Sequence, residues 1–158
     1  AEKFYKEAIR VSGSKTKAHH YYNYGYFLNR RKRVEEAITV MEKSLKLNEF
    51  PALKKQLARA YETKGTGLNI KASKAVGNDK IQVANEAASV FQRALEIDPE
   101  NKNAMYGLGT ALVYSGWDDK DETTKRNALH WYREYLKRSP NDANAKEYIK
   151  SLERALAH

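Results

Sequence analysis

Ala87-Ala88-Ser89-Val90-Phe91-Gln92-Arg93-Ala94-Leu95-Glu96-Ile97-Asp98-Pro99, residues 87–99, is the stretch whose reading decides the fold. Apolar side chains return every three or four positions with polar ones between them, which is the period of a helix with one buried face. Asp98-Pro99 then stops it, because proline cannot continue a helix and restricts the residue before it. The spacing Ala87-x3-Phe91-x2-Ala94-Leu95-x3-Pro99 recurs as Ala128-x3-Tyr132-x2-Tyr135-Leu136-x3-Pro140, with weaker copies at Ala37-x3-Met41-x2-Ser44-Leu45 and Ala1-x3-Tyr5-x2-Ala8-Ile9. A second block precedes three of them: Tyr24-Gly25-x2-Leu28, Leu57-Ala58-x2-Tyr61-x3-Gly65 and Leu108-Gly109-x2-Leu112-x3-Gly116. Two blocks repeated in one order signal an architecture of stacked units.

Outward from that stretch the helical period continues. Breaks fall at Ser12-Gly13-Ser14, Asn48-Glu49-Phe50-Pro51, Gly77-Asn78-Asp79, Asp98-Pro99-Glu100-Asn101, Gly116-Trp117-Asp118-Asp119 and Ser139-Pro140-Asn141-Asp142. These are stop and start signals. The pattern predicts about eight helices at roughly 2–11, 16–31, 34–48, 51–76, 79–97, 102–117, 120–138 and 142–157, with no run of period two. Short connections make neighbouring helices antiparallel.

The two blocks resemble the tetratricopeptide repeat family, helix–turn–helix units of about 34 residues. The resemblance implies an all-α, right-handed solenoid and a division into a half-repeat 1–14, full repeats at about 16–50, 51–101 and 102–142, and a capping helix 143–158. Gly25, Ala58 and Gly109 stand at the small first-helix position, opposite Ala37, Ala87 and Ala128. Small residues are required where two helices cross closely. Lys150 stands where the last helix would need its small residue, as suits a cap facing water. The spacing from first-helix end to second-helix Ala is 5 residues for Lys32 to Ala37, against 22 for Gly65 to Ala87 and 12 for Gly116 to Ala128. The second and third repeats therefore carry insertions. The larger one contains Leu68, Ile70, Ala72, Val76, Ile81 and Val83, so both of its helices are expected to run on as a protruding hairpin, kinked at Gly65 and Gly67. Tyr135 is large where the family pattern has a small residue, which disturbs the packing expected there.

Composition bounds the chemistry. The chain has 158 residues, 41% hydrophobic and 31% charged, enough for a real core and unlike a disordered polymer. Zero Cys removes disulfides, thiolate metal sites and a cysteine nucleophile. No apolar run approaches the ~20 residues of a membrane span, and a cytoplasmic location is the expectation. The net charge of +9 is weighted towards residues 1–50, favouring acidic partners.

No catalytic set emerges, and no enzyme, cofactor or metal site is expected. His19-His20 are adjacent and point about 100° apart on a helix, His130 and His158 are isolated, and Gly107-Leu108-Gly109 lies inside a helix rather than after a strand. Asp118, Asp119, Asp121 and Glu122 lack the alternating ligands and central Gly of a calcium loop and read as acids at a helix start.

Function is expected on the first-helix face that looks away from the buried one. In the resembled family, first helices line a concave groove that meets a peptide or helix. The matching positions here are Tyr22, Asn23, Tyr26 and Asn29, then Lys55, Arg59 and Glu62, then Tyr106, Thr110 and Tyr114. Tyr rings offer contact area at low entropy cost, and Lys55 and Arg59, one turn apart, can hold a carboxylate. The expected partner is a protein segment of acidic character. The Lys/Asn/Asn/Lys/Arg clamp of the family's chaperone adaptors is not expected, since only Asn23 matches and Ala52 and Gln56 occupy its last two positions. The alternative is an RNA- or polyanion-binding surface at Arg30, Arg31, Lys32 and Arg33.

Overall fold

The computed structural model describes residues 1–116 and 122–158. Among them are eight α-helices and no strand: α1 (Glu2–Val11), α2 (Ser14–Arg30), α3 (Val34–Leu47), α4 (Pro51–Lys74), α5 (Gly77–Ile97), α6 (Lys102–Gly116), α7 (Thr123–Arg138) and α8 (Ala143–Leu156). The limits follow local chemistry. Pro51 opens α4 at the first turn, where its missing N–H costs nothing. Asn101 Oδ1 accepts from the Ala104 N–H at 3.0 Å and Asp142 Oδ1 from the Ala145 N–H at 3.0 Å, satisfying donors at the starts of α6 and α8. Between α2 and α3 the chain turns through Lys32, whose φ of 60° is left-handed.

Helices α2 and α3, α4 and α5, and α6 and α7 pack as hairpins, and each hairpin leans on the next through α3 on α4, α5 on α6 and α7 on α8. This is an all-α, tetratricopeptide-repeat-like solenoid. Its core is a chain of clusters. Tyr24, Leu28 and Ala37 form one, Met41, Leu53, Leu57 and Ile97 the next, then Phe91, Leu95, Met105 and Leu108, then Leu129, Tyr132 and Leu152. Every residue expected at a close crossing is buried: Gly25, Ala58, Gly109, Ala37, Ala87 and Ala128. A Cβ on Gly25 would lie 2.5 Å from Met41 Cγ, so the hairpin cannot close around a larger residue.

The larger insertion is helical, with 24 residues in α4 and 21 in α5. The expected kink is corrected: α4 runs unbroken through Gly65 and Gly67. Gly65 is there for close approach, since a Cβ would fall 2.8 Å from the Phe91 ring, whereas a Cβ on Gly67 would meet nothing within 4 Å. The extension is fastened to its neighbour, with Leu68 packed on the Phe91 cluster and Asn69 Nδ2 donating to the Gly107 carbonyl at 2.9 Å. Most of the smaller insertion, including the acids Asp118, Asp119 and Asp121, lies outside the described residues. Tyr135 packs at the edge of the Phe91 cluster and its hydroxyl donates to Asp142 Oδ2 at 2.8 Å, tying α7 to the start of α8. The oversized side chain acts as a strut.

Candidate functional site: the inner wall

Contacts of α4 with both α2 and α6 put these first helices on one side of the stack, and their exposed face is a wall of three hollows. The first, about 470 Å³ between α2 and α4, is lined by Tyr26, Asn29, Arg30, Lys32, Gln56 and Arg59 among others. The second, about 290 Å³, includes Lys55, Arg59, Glu62, Asn101 and Asn103. The third, about 480 Å³ between α4 and α6, includes Glu62, Asn69, Asn103, Tyr106, Thr110 and Tyr114, with Tyr135 and Asp142 at its far side. Gln56 and Arg59 are common to the first two, and Glu62 and Asn103 to the last two, so the hollows form one continuous groove.

Eight of the ten groove residues expected from sequence therefore share this wall. Asn23 is exposed and lines none of the hollows described. Tyr22 is half-buried, edge-on to Phe50 at 5.3 Å, and contributes to the wall's support rather than to a hollow. The basic run splits three ways. Arg30 and Lys32 reach the first hollow, the Arg31 guanidinium sits 5.3 Å over the Phe27 ring, and Arg33 is held by Glu2 at 2.8 Å and Glu36 at 2.5 Å. A four-residue basic stripe thus becomes two cations in the groove and two engaged elsewhere.

The third hollow has a distinct chemistry. Its lining holds two carboxylates, Glu62 and Asp142, and no Lys or Arg. Glu62 accepts from Asn101 Nδ2 at 3.2 Å and Asn103 Nδ2 at 3.3 Å, and it has no cationic partner among the described residues. Asp142 is held below the usual carboxylate range by the Ala145 N–H and then by the Tyr135 hydroxyl, so it stays ionised. Tyr106 stands edge-on to Tyr132 at 5.4 Å, Tyr135 at 5.1 Å and Tyr148 at 6.3 Å. Burial, and behind it Tyr148, pushes the Tyr106 hydroxyl up to about 12, which keeps it a neutral donor at physiological pH. Thr110 Oγ1 lies 2.9 Å from the Tyr132 hydroxyl. The Asn69 amide is oriented by Gly107, and its Oδ1 is buried without a partner. The hollow thus offers acceptors, negative charge and ring surface to a guest that brings donors, positive charge and apolar groups.

Sequence reasoning missed Asn69, Asn103 and Asp142. A signal existed for two: Asn69 continues the Glu62 and Thr66 face of α4 at helical spacing, and Asn103 lies one turn before Tyr106. Asp142 belongs to the next helix, and only the packing of α8 against α7 brings it to this wall. No group of three or more His, Asp or Glu able to hold a metal occurs among the described residues. His19 is stacked on Phe50 at 4.5 Å and His130 lies against Trp131 at 5.1 Å.

Comparison with known proteins assigns the architecture. The family described as plant specific mitochondrial import receptor subunit TOM20 matches residues 35–157, and the tetratricopeptide repeat matches residues 18–51. Among solved structures, the first TPR of Spaghetti (RPAP3) bound to the HSP90 peptide SRMEEVD is similar at a TM-score of 0.50 and 20% identity, over 91% of this chain and 96% of that one. The C-terminal TPR-containing domain of an FK506-binding protein of Plasmodium falciparum is similar at a TM-score of 0.50 and 17% identity, over 94% and 96%. At these identities both show the fold alone. No curated protein matches.

Proposed function

The chain belongs to the family of the plant-specific mitochondrial import receptor subunit TOM20, and from that premise we propose that it is a non-enzymatic receptor domain that captures a polypeptide along its inner wall. The repeat fold supports a protein-interaction scaffold. Helix pairs α2–α3, α4–α5 and α6–α7 serve as its three full repeats, α1 as the half-repeat and α8 as the cap.

The observation that carries the reading is the third hollow. Two carboxylates with no ion-pair partner among the described residues, set among tyrosines on a pre-formed wall, favour a basic amphipathic helix that lays apolar side chains on Tyr106 and Ile70 and presents Lys or Arg to Glu62 and Asp142. The binding mode is the expected one, while the sign of charge at this hollow differs from the acidic partner that net charge alone suggests. No described helix is long and apolar enough to cross a membrane. An import receptor faces the compartment from which its cargo comes, so this reading refines a cytoplasmic location to the cytosolic side of the mitochondrial surface.

Titration of a labelled basic amphipathic peptide by fluorescence anisotropy tests it. Glu62→Gln leaves volume and fold intact and should weaken binding by about 1–2 kcal/mol, as loss of a charge-assisted contact does. Lys55→Ala should leave this peptide unaffected or bind it tighter. Equal affinity of wild type and Glu62→Gln, or tighter binding of an acidic peptide at Glu62, rejects the assignment.

A further inference from the structure

We propose that the hollow between α2 and α4 is an anion site that takes an acidic segment of polypeptide, distinct from the cargo hollow between α4 and α6. The charged side chains lining it are Arg30, Lys32 and Arg59, with no carboxylate. None of the three is ion-paired among the described residues. Among the arginines, Arg10, Arg33, Arg93, Arg126, Arg133 and Arg138 each hold a carboxylate, which Arg30 and Arg59 do not.

The bland account of such cations is that they complement the negative end of a helix. It covers Arg30 and Lys32, at and just past the C-terminus of α2, but not Arg59, which is more than two turns into α4. All three are exposed cations lining one hollow, so their fields add there and favour an anionic guest. Asn29, Gln56 and Tyr26 supply neutral hydrogen-bonding groups beside them, and about 470 Å³ leaves room for acidic side chains.

A peptide fits better than a nucleic acid. The four consecutive cations that could follow a phosphate backbone are broken up, with Arg31 drawn over Phe27 and Arg33 locked between Glu2 and Glu36. Only one ring, Tyr26, lines the hollow, where base stacking calls for a platform. The site also opens into the rest of the groove through Arg59 and Gln56, so the wall changes sign along its length. It therefore accepts acidic chains at the α2 end and basic ones at the α6 end.

The test is anisotropy titration of a fluorescein-labelled hexaglutamate peptide at low salt, with hexaglutamine as the charge control. Wild type should bind hexaglutamate and not hexaglutamine. Arg30→Gln and Lys32→Asn, the latter chosen because Asn accepts a left-handed φ, should each lower affinity by about five- to tenfold, whereas Arg31→Gln should change it by less than about twofold. Unaltered circular dichroism and melting of each variant keep folding out of the result. No binding of hexaglutamate, or an equal loss in Arg31→Gln, overturns the proposal. So does a single-stranded RNA that binds tighter than hexaglutamate and depends on Arg31 and Arg33, and so does full displacement by millimolar inorganic phosphate with no preference for peptide.

Discussion

Glu2 ties α1 to the stack beside the packing of Tyr5 and Ile9 on Tyr24, Leu28 and Ala37. Its carboxylate accepts from the Tyr24 hydroxyl at 2.6 Å and from Arg33 at 2.8 Å, with Lys6 at 3.4 Å, while no residue of α1 is fully buried. The Arg33 guanidinium first, then the Tyr24 hydroxyl, pull the Glu2 carboxyl from 4.5 down to about 2. A folded-state value below the unfolded one means that the stabilisation is complete above 4.5 and is lost as pH falls towards about 2. Amide hydrogen exchange in α1, corrected for its intrinsic pH dependence, should accelerate across that window in wild type. In Glu2→Gln it should already be fast and show no such step. A pH-independent, well-protected α1 in both proteins contradicts the tie. None of this was legible in the sequence, because Glu2 meets partners 22 and 31 residues away, whereas periodicity reports only neighbours three or four positions apart.

At the scale of elements, the helix limits were readable because nearly every break is punctuated by Gly, Pro or a capping Asn or Asp. The interior glycines were harder, since one residue type serves opposite purposes. Phe91 lies between Gly65 of α4 and Gly107 of α6, and the position a Cβ would take on either falls within the van der Waals shell of its ring. Gly67, two residues on, faces open space. Spacing alone cannot separate a glycine that admits a neighbour from one that does nothing for the packing, so the pair reads as a hinge. The two cases predict opposite signs. Gly67→Ala should stabilise by about 0.5–1 kcal/mol, because alanine has the better helix propensity and meets no obstacle. Gly107→Ala gains the same propensity yet forces the Phe91 ring to move, and should destabilise by about 1–2 kcal/mol net. Adding Phe91→Leu to Gly107→Ala should recover part of the loss. Urea unfolding of the four proteins checks this, and a stabilising Gly107→Ala would mean that the ring has slack which the packing does not show.

Over the whole molecule, stability runs along the stack from one helix pair to the next, because each unit touches only its neighbours. The middle is well anchored: α4, α5 and α6 contribute most of the fully buried residues, whereas α8 contributes only Ala145 and Leu152. The same linearity explains what the sequence could tell of the groove. Residues on one helix face, such as Tyr106, Thr110 and Tyr114, were found together, while the division of the wall into a cationic and an anionic end depends on which helices lie side by side. Asp142 joins the two matters, since it caps α8, anchors Tyr135 and lines the α4–α6 hollow. Asp142→Ala should cost about 1 kcal/mol or somewhat more, the usual loss of a helix cap. In a stack the loss stays local, so exchange should quicken in α8 and at the end of α7 while the slowest amides of α4 and α5 keep their protection. Affinity for a basic peptide should fall in the same variant, since a carboxylate and its strut leave the wall together. If every helix lost protection equally, the molecule would be unfolding as one unit and the neighbour-by-neighbour account of its stability would be wrong.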